Sequence, residues 1–129
     1  MSYSKKGWEK RKAERAGFAE FFQKHIQVIK DTKASCEECG NKLKGHVSEV
    51  AHILPKGTYK SVATNDKNVI YLCGMYSSNQ CHTNFDTFTA EKVKEMLVFN
   101  KISSIFAELE DIVTEKISYK IYERYEKEY

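Results

Sequence analysis

The sequence predicts an α+β fold in which a small, zinc-bound core lies between an N-terminal and a C-terminal helical flank. Three observations predict it. All four cysteines fall between Cys36 and Cys81. Residues 32–88 around them hold four of the six glycines, the only proline and three of the four histidines, the composition of turns, short strands and a metal site. On either side of it, apolar residues recur at the three-to-four-residue spacing of amphipathic helices.

At 129 residues, 1–129 is expected to be one domain. A composition of 41% apolar and 30% charged residues describes a globular chain. No apolar run approaches the roughly 18–20 residues that span a bilayer. The first residues carry no apolar signal core or small-residue cleavage site. A cytoplasmic protein with no membrane partner is expected, where a reducing thiol pool argues against disulfides.

The net charge of +3 is unevenly spread. Residues 1–33 carry nine Lys/Arg against four Asp/Glu, residues 34–90 five against five, and residues 91–129 seven against nine. A basic front end suits an anionic partner, and a solvated lysine face is the plainer reading of the same residues.

A basic N-terminal helix is expected over 5–31. Phe18, Phe22, Ile26 and Ile29 form its apolar stripe, with Trp8 extending it. The core follows over 34–88. In it, the run from His46 to Leu54 alternates enough to be a strand, and Pro55-Lys56-Gly57 breaks it. Asn65-Asp66-Lys67-Asn68 makes a turn, Val69-Ile70-Tyr71-Leu72 a short buried strand, and a helix starts from Gln80. A helical segment closes the chain over 89–128, with Thr89 as N-cap and Glu91 and Glu95 where the helix dipole favours acids. Val93, Leu97, Ile102, Ile105, Leu109, Ile112, Ile117 and Ile121 give its stripe, which fits one long helix or two.

Cys36-Glu37-Glu38-Cys39-Gly40 has the spacing of a zinc knuckle: two thiolates two residues apart grip one tetrahedral ion, and the glycine relieves the turn. Cys73 and Cys81 would complete a structural zinc site, although seven residues separate them instead of two to four. The plainer alternative makes Cys73 a buried thiol after an apolar run. In a segment with so thin a core, a closed zinc site would supply much of the folding energy.

Three further blocks lie in and around the cysteines: Ala51-His52-Ile53, then Asn68 before a strand ending Leu72-Cys73, then Cys81-His82-Thr83-Asn84-Phe85-Asp86. Singly, His52 reads as a structural histidine, Asn68 as a turn residue, and His82 with Asp86 as a surface pair one helical turn apart. Together they do more. A helix puts His82 and Asp86 on one face, where an imidazole nitrogen and a carboxylate can share a divalent ion and leave positions open for water and a phosphate oxygen.

In that order, and within that cysteine frame, the blocks over residues 36–88 resemble the HNH, or ββα-metal, endonucleases. The likeness is to the subgroup reading Ala-His-Ile, then Asn, then His-x-x-Phe-Asp. The resemblance implies a ββα-metal core and a metal-dependent endonuclease acting on DNA. It puts His52 at the general base that takes a proton from the attacking water. Asn68 falls at the residue bracing the base's loop, and His82 and Asp86 at the ligands of a catalytic Mg²⁺ or Mn²⁺. Many members carry Asp or His just before the base, where this chain has Ala51. Glu49 and His46 are the nearest residues that would replace such a ligand.

Lys56, beside the expected cleft, and Lys10, Arg11 and Arg15, in a basic strip that also includes Lys5, Lys6 and Lys12, are the expected nucleic-acid contacts; solvation alone is their plainer reading. The apolar stripe of 89–128 must be covered by the N-terminal helix or by a second copy, and a homodimer would set two sites on opposite strands. Two other functions are open to these residues. One is a non-catalytic zinc-ribbon module that binds nucleic acid or protein. The other is a structural interaction protein whose long helices do the work.

Overall fold

The computed structural model describes residues 5–126, with the side chains of Lys5 and Lys6 outside that description. It is an α+β arrangement: helix α1 (Lys5–Thr32), strands β1 (Val50–His52) and β2 (Val69–Tyr71), and helices α2 (Cys81–Thr87), α3 (Ala90–Glu95), α4 (Phe99–Glu110) and α5 (Tyr119–Tyr125).

α1 begins and ends within a residue of the expected 5–31. Only its C-terminal part is packed: Phe21, His25, Ile26 and Ile29 are buried, one face of a helix at three-to-four-residue spacing. The core ends at Phe21 and the helix continues past it, so Trp8 is 53% exposed and does not extend the buried stripe. Lys33 then takes a left-handed φ of 52° and stops the helix.

The strand expected over 46–54 is shortened to Val50–His52. Glu49 is the reason. Its buried carboxylate accepts the amides of Lys44, Gly45 and His46 at 2.8, 2.7 and 2.8 Å, which winds Val47–Glu49 into a 3₁₀ turn capped by His46. β1 and β2 pair antiparallel with Val50 opposite Tyr71, Ala51 opposite Ile70 and His52 opposite Val69. Alternation turns Val50, His52, Val69 and Tyr71 to one face and the fully buried Ala51 and Ile70 to the other. α1 covers part of the first face, where Phe21 and Phe22 lie against His52 and His25 bonds the Tyr71 hydroxyl at 2.6 Å.

Residues 89–126 form three helices, where one or two were expected. Thr89 caps α3 by accepting the Lys92 amide at 3.3 Å. Neither break contains glycine or proline; distant side chains make them. Glu38 accepts the amides of Leu97 and Val98 at 3.2 and 3.0 Å, starting α4 afresh. Ser61 accepts the Thr114 amide at 3.1 Å and Tyr59 the Ser118 amide at 3.2 Å, tying the α4–α5 connection to residues 59–61. Val93, Ile102 and Leu109 are buried completely, and Phe106 packs against Tyr122 and Tyr125, so this stripe is covered largely within one chain. Leu97, at 81% exposure, and Ile112 fall outside it because the breaks rotate them to the surface. Among the described residues no helix is long and apolar enough to cross a membrane.

Candidate functional site

The four cysteines meet. Their Sγ atoms all lie within 4.8 Å of one another, and Cys39 and Cys73 are 3.8 Å apart. Thiolates on a tetrahedral zinc, each roughly 2.3 Å from the ion, are spaced by about 3.8 Å, so the cluster has the size and the donor chemistry for one such metal. None of the four is in a disulfide; Cys36, Cys73 and Cys81 are buried and Cys39 sits at the exposed edge. The Cys39 amide points at Cys36 Sγ (3.5 Å) and the Cys81 amide at Cys73 Sγ (3.3 Å), each placing a partial positive charge against sulfur. Burial pushes the Cys36 and Cys81 thiols up. At Cys39 burial pulls the same way, but hydrogen bonds from Asn79, the Asn41 backbone and the neighbouring thiols bring it down to about 6.

Glu37 and Glu38, between the first two cysteines, put negative charge beside thiolates, which only another task makes worthwhile. Glu37 accepts the Tyr71 amide at 2.7 Å at the edge of β2 and pairs with Lys101 of α4, while Glu38 caps α4. The cysteine cluster therefore ties the sheet to the C-terminal helices. Cys81 opens α2, directly before His82. Close to it, Gly74 packs so tightly on Ser48 that a Cβ there would strike the serine hydroxyl.

β1, the loop after it, α2 and Phe22 of α1 frame an open cleft of about 610 Å³, lined by His52, Lys56, His82 and Asp86 together with Ser48. His52 Nε2 is 2.7 Å from the Ala63 carbonyl. A carbonyl only accepts, so Nε2 carries the hydrogen, and Nδ1 is the acceptor of the neutral ring. Burial, reinforced by the charge of Lys56, depresses the His52 pKa below its ordinary value.

Opposite, His82 Nδ1 donates to the Ser48 carbonyl at 2.5 Å, which turns Nε2 toward Asp86 Oδ2, 3.2 Å away. Two donors bound at right angles to one ion at roughly 2.1 Å lie about 3 Å apart, so the pair fits a shared divalent ion with little movement. Without an ion, Asp86 holds the imidazole by a charge-assisted hydrogen bond and raises its pKa.

Asn68, fully buried, bonds across the base of the β1–β2 loop. It accepts the Leu54 amide at 2.7 Å and donates to the carbonyls of Leu54 at 2.9 Å and Val62 at 3.3 Å. Val62 precedes Ala63, so the loop that orients His52 is anchored one residue away.

Ala51 faces away from the cleft, completely buried. Neither expected substitute reaches in. Glu49 is consumed by three backbone amides, and His46 Nδ1 contacts Ser48 Oγ at 2.8 Å while its ring packs on Tyr76. Lys56 stands at the rim over the rings of Phe18 and Phe22. Lys10, Arg11 and Arg15 are exposed on the outer half of α1.

Several contributors were invisible in the sequence. The carbonyls of Ala63 and Ser48 carry no side-chain signal. Arg124, from α5, donates to the carbonyls of Phe88 (2.7 Å) and Phe85 at the C-terminal end of α2, close to Asp86. The acidic pair inside the knuckle was the one available hint of the α4 attachment.

No protein-family profile, curated protein or solved structure matches this chain.

Proposed function

We propose that this protein is a metal-dependent endonuclease of the HNH type, built on a zinc-stapled ββα-metal core and hydrolysing DNA phosphodiester bonds. The observation that carries the reading is the pairing of tautomers across the cleft. Ala63 leaves His52 with Nδ1 as the acceptor of its neutral ring, and Ser48 leaves His82 with Nε2 directed at Asp86. One ring is thus set to accept a proton, and the other, with a carboxylate, to hold a cation.

A scissile phosphate enters between them. Water attacks phosphorus, and its proton passes to His52 Nδ1. The bond from phosphorus to the 3′ oxygen breaks, and that oxygen takes a proton from solvent, leaving a 3′-hydroxyl and a 5′-phosphate. His52, kept neutral near pH 7 by its burial, then returns its proton to water. His82 and Asp86 would hold a Mg²⁺ or Mn²⁺ ion, which would supply Lewis acidity for the phosphate. Lys56 adds positive charge at the rim. Cys36, Cys39, Cys73 and Cys81 would hold the structural zinc.

Nicking of supercoiled plasmid across a metal series, wild type beside His52→Ala, tests the reading. Divalent-dependent nicking that falls by about 10²–10⁴-fold in the variant is expected. Wild-type protein that holds one zinc yet cuts nothing with Mg²⁺ or Mn²⁺ would instead identify a zinc-ribbon binding module.

A further inference from the structure

The outer half of α1 has one face that the catalytic reading does not use. Trp8, Arg11, Arg15 and Phe18 recur at helical spacing and line a shallow groove of about 340 Å³ together with Glu14. The stripe continues to Phe22, which borders the cleft and lies 5.7 Å, ring to ring, from His52. Lys56 bridges the two stretches, 5.3 Å above the Phe18 ring and 4.8 Å above that of Phe22. Arg15 stands 5.3 Å over one face of the Trp8 indole. An aromatic and cationic track thus runs down α1 from Trp8 to the cleft, about 20 Å at 1.5 Å per residue.

We infer that this track binds an unpaired strand of nucleic acid and feeds it toward His52, so that the substrate is DNA with a single-stranded segment beside the cut. The inference rests on the nuclease reading for its direction, not for its binding chemistry. Lys10, Arg11, Lys12 and Arg15 outnumber Glu9 and Glu14 along this stretch, which suits a polyanion and opposes a second copy of the same helix. A duplex offers an indole no base face to stack on, since its bases are stacked inside. An indole 53% exposed, with a guanidinium on one face, offers its other face to an unstacked base. Basic groups alternating with aromatic rings are the means by which single strands are held without sequence preference.

Trp8 is the only tryptophan, so its emission reports on the track directly. The test titrates zinc-loaded wild-type protein, with no Mg²⁺ or Mn²⁺ added, with a single-stranded oligothymidine and with a blunt duplex of equal length. Saturable quenching of Trp8 by the single strand, at least tenfold tighter than for the duplex, is expected. Labelled-oligonucleotide anisotropy should show Trp8→Ala binding the single strand about tenfold more weakly, with Trp8→Phe restoring most of the affinity. Arg15→Ala should weaken binding and flatten its salt dependence by about one ion. Equal affinity for duplex and single strand, or binding unaffected by Trp8→Ala, would overturn the inference. So would Trp8 emission that changes with protein concentration alone, in step with dimer formation, which would make the stripe a self-association surface. Because the titration measures no cleavage, the two readings fail separately: intact Trp8 quenching with no divalent-dependent cutting of a DNA that carries a single-stranded segment would sink the nuclease reading and leave the single-strand binding standing.

Discussion

Asn68 and Leu54 are joined through both ends of one amide: the side-chain oxygen accepts the Leu54 N–H at 2.7 Å and the side-chain nitrogen donates to the Leu54 carbonyl at 2.9 Å. The residues are 14 apart in sequence, and between them runs the loop whose Ala63 carbonyl sets the His52 tautomer. Both partners are completely buried, where water cannot substitute for a lost bond.

Asn68→Ala strands the Leu54 amide and carbonyl and opens a small void. The expected cost is about 2–4 kcal/mol in urea denaturation. At temperatures where the variant stays folded, nicking should still fall, because the loop no longer fixes Ala63. A variant as stable and as active as wild type would show that the loop holds itself.

Protonation of His52 should govern the acid side of the activity profile. Burial lowers its folded pKa below the ordinary 6.5, so the neutral, proton-accepting ring persists into mildly acidic solution. Nicking should therefore rise with pH through a value below 6.5 and stay flat above it until another group titrates. The stability sign agrees: the unfolded chain takes up this proton first, so the group's contribution is complete above pH 6.5 and is lost as pH falls through the folded value. Imidazole proton NMR against His52→Ala identifies the resonance, and a midpoint above 6.5 would contradict the assignment.

Removing the metal from the cysteine cluster should release more than a knuckle. Glu37 and Glu38 reach β2 and α4 only while Cys36 and Cys39 are held, so a zinc chelator should undock the C-terminal helices and collapse near-ultraviolet circular dichroism. Structural zinc contributes roughly 10–16 kcal/mol at pH 7, more than a domain of this size can lose. Because burial pushes Cys36 and Cys81 up, zinc uptake must expel their protons and should weaken as pH falls. One zinc per chain by metal analysis, halved or lost in Cys81→Ser, is the accompanying expectation.

His82→Ala should leave that zinc in place and abolish the response to manganese. Ser48 and Asp86 lose their partner, but neither belongs to the cysteine cluster. Isothermal titration should show Mn²⁺ affinity reduced at least tenfold with zinc content unchanged. Loss of both metals together would mean that the two sites are one folding unit.

What was legible in the sequence was local chemistry. Cys36 and Cys39, or His82 and Asp86, are close because the backbone between them is short, and their spacing says so directly. The long α1 and its packed Ile26 and Ile29 were equally plain from periodicity. What escaped depends on partners far along the chain. Alternation from His46 to Leu54 suggested one strand, but the Glu49 carboxylate gathers three amides and turns the first half into a 3₁₀ turn. The C-terminal stripe read as continuous because Glu38, Ser61 and Tyr59, which interrupt it, lie 53 to 60 residues away. His25, a helix histidine without a motif, proves to bridge the Tyr71 hydroxyl and Asp66, fastening α1 to the sheet.

The central claim is that one ion sits between His82 and Asp86 in the cleft that His52 faces. Anomalous diffraction from crystals soaked in Mn²⁺ measures this without recourse to activity. A peak about 2.0–2.3 Å from both His82 Nε2 and Asp86 Oδ2 is the predicted result. An unbroken His82–Asp86 hydrogen bond with no anomalous density beside it, at manganese concentrations that fill such sites, would contradict it.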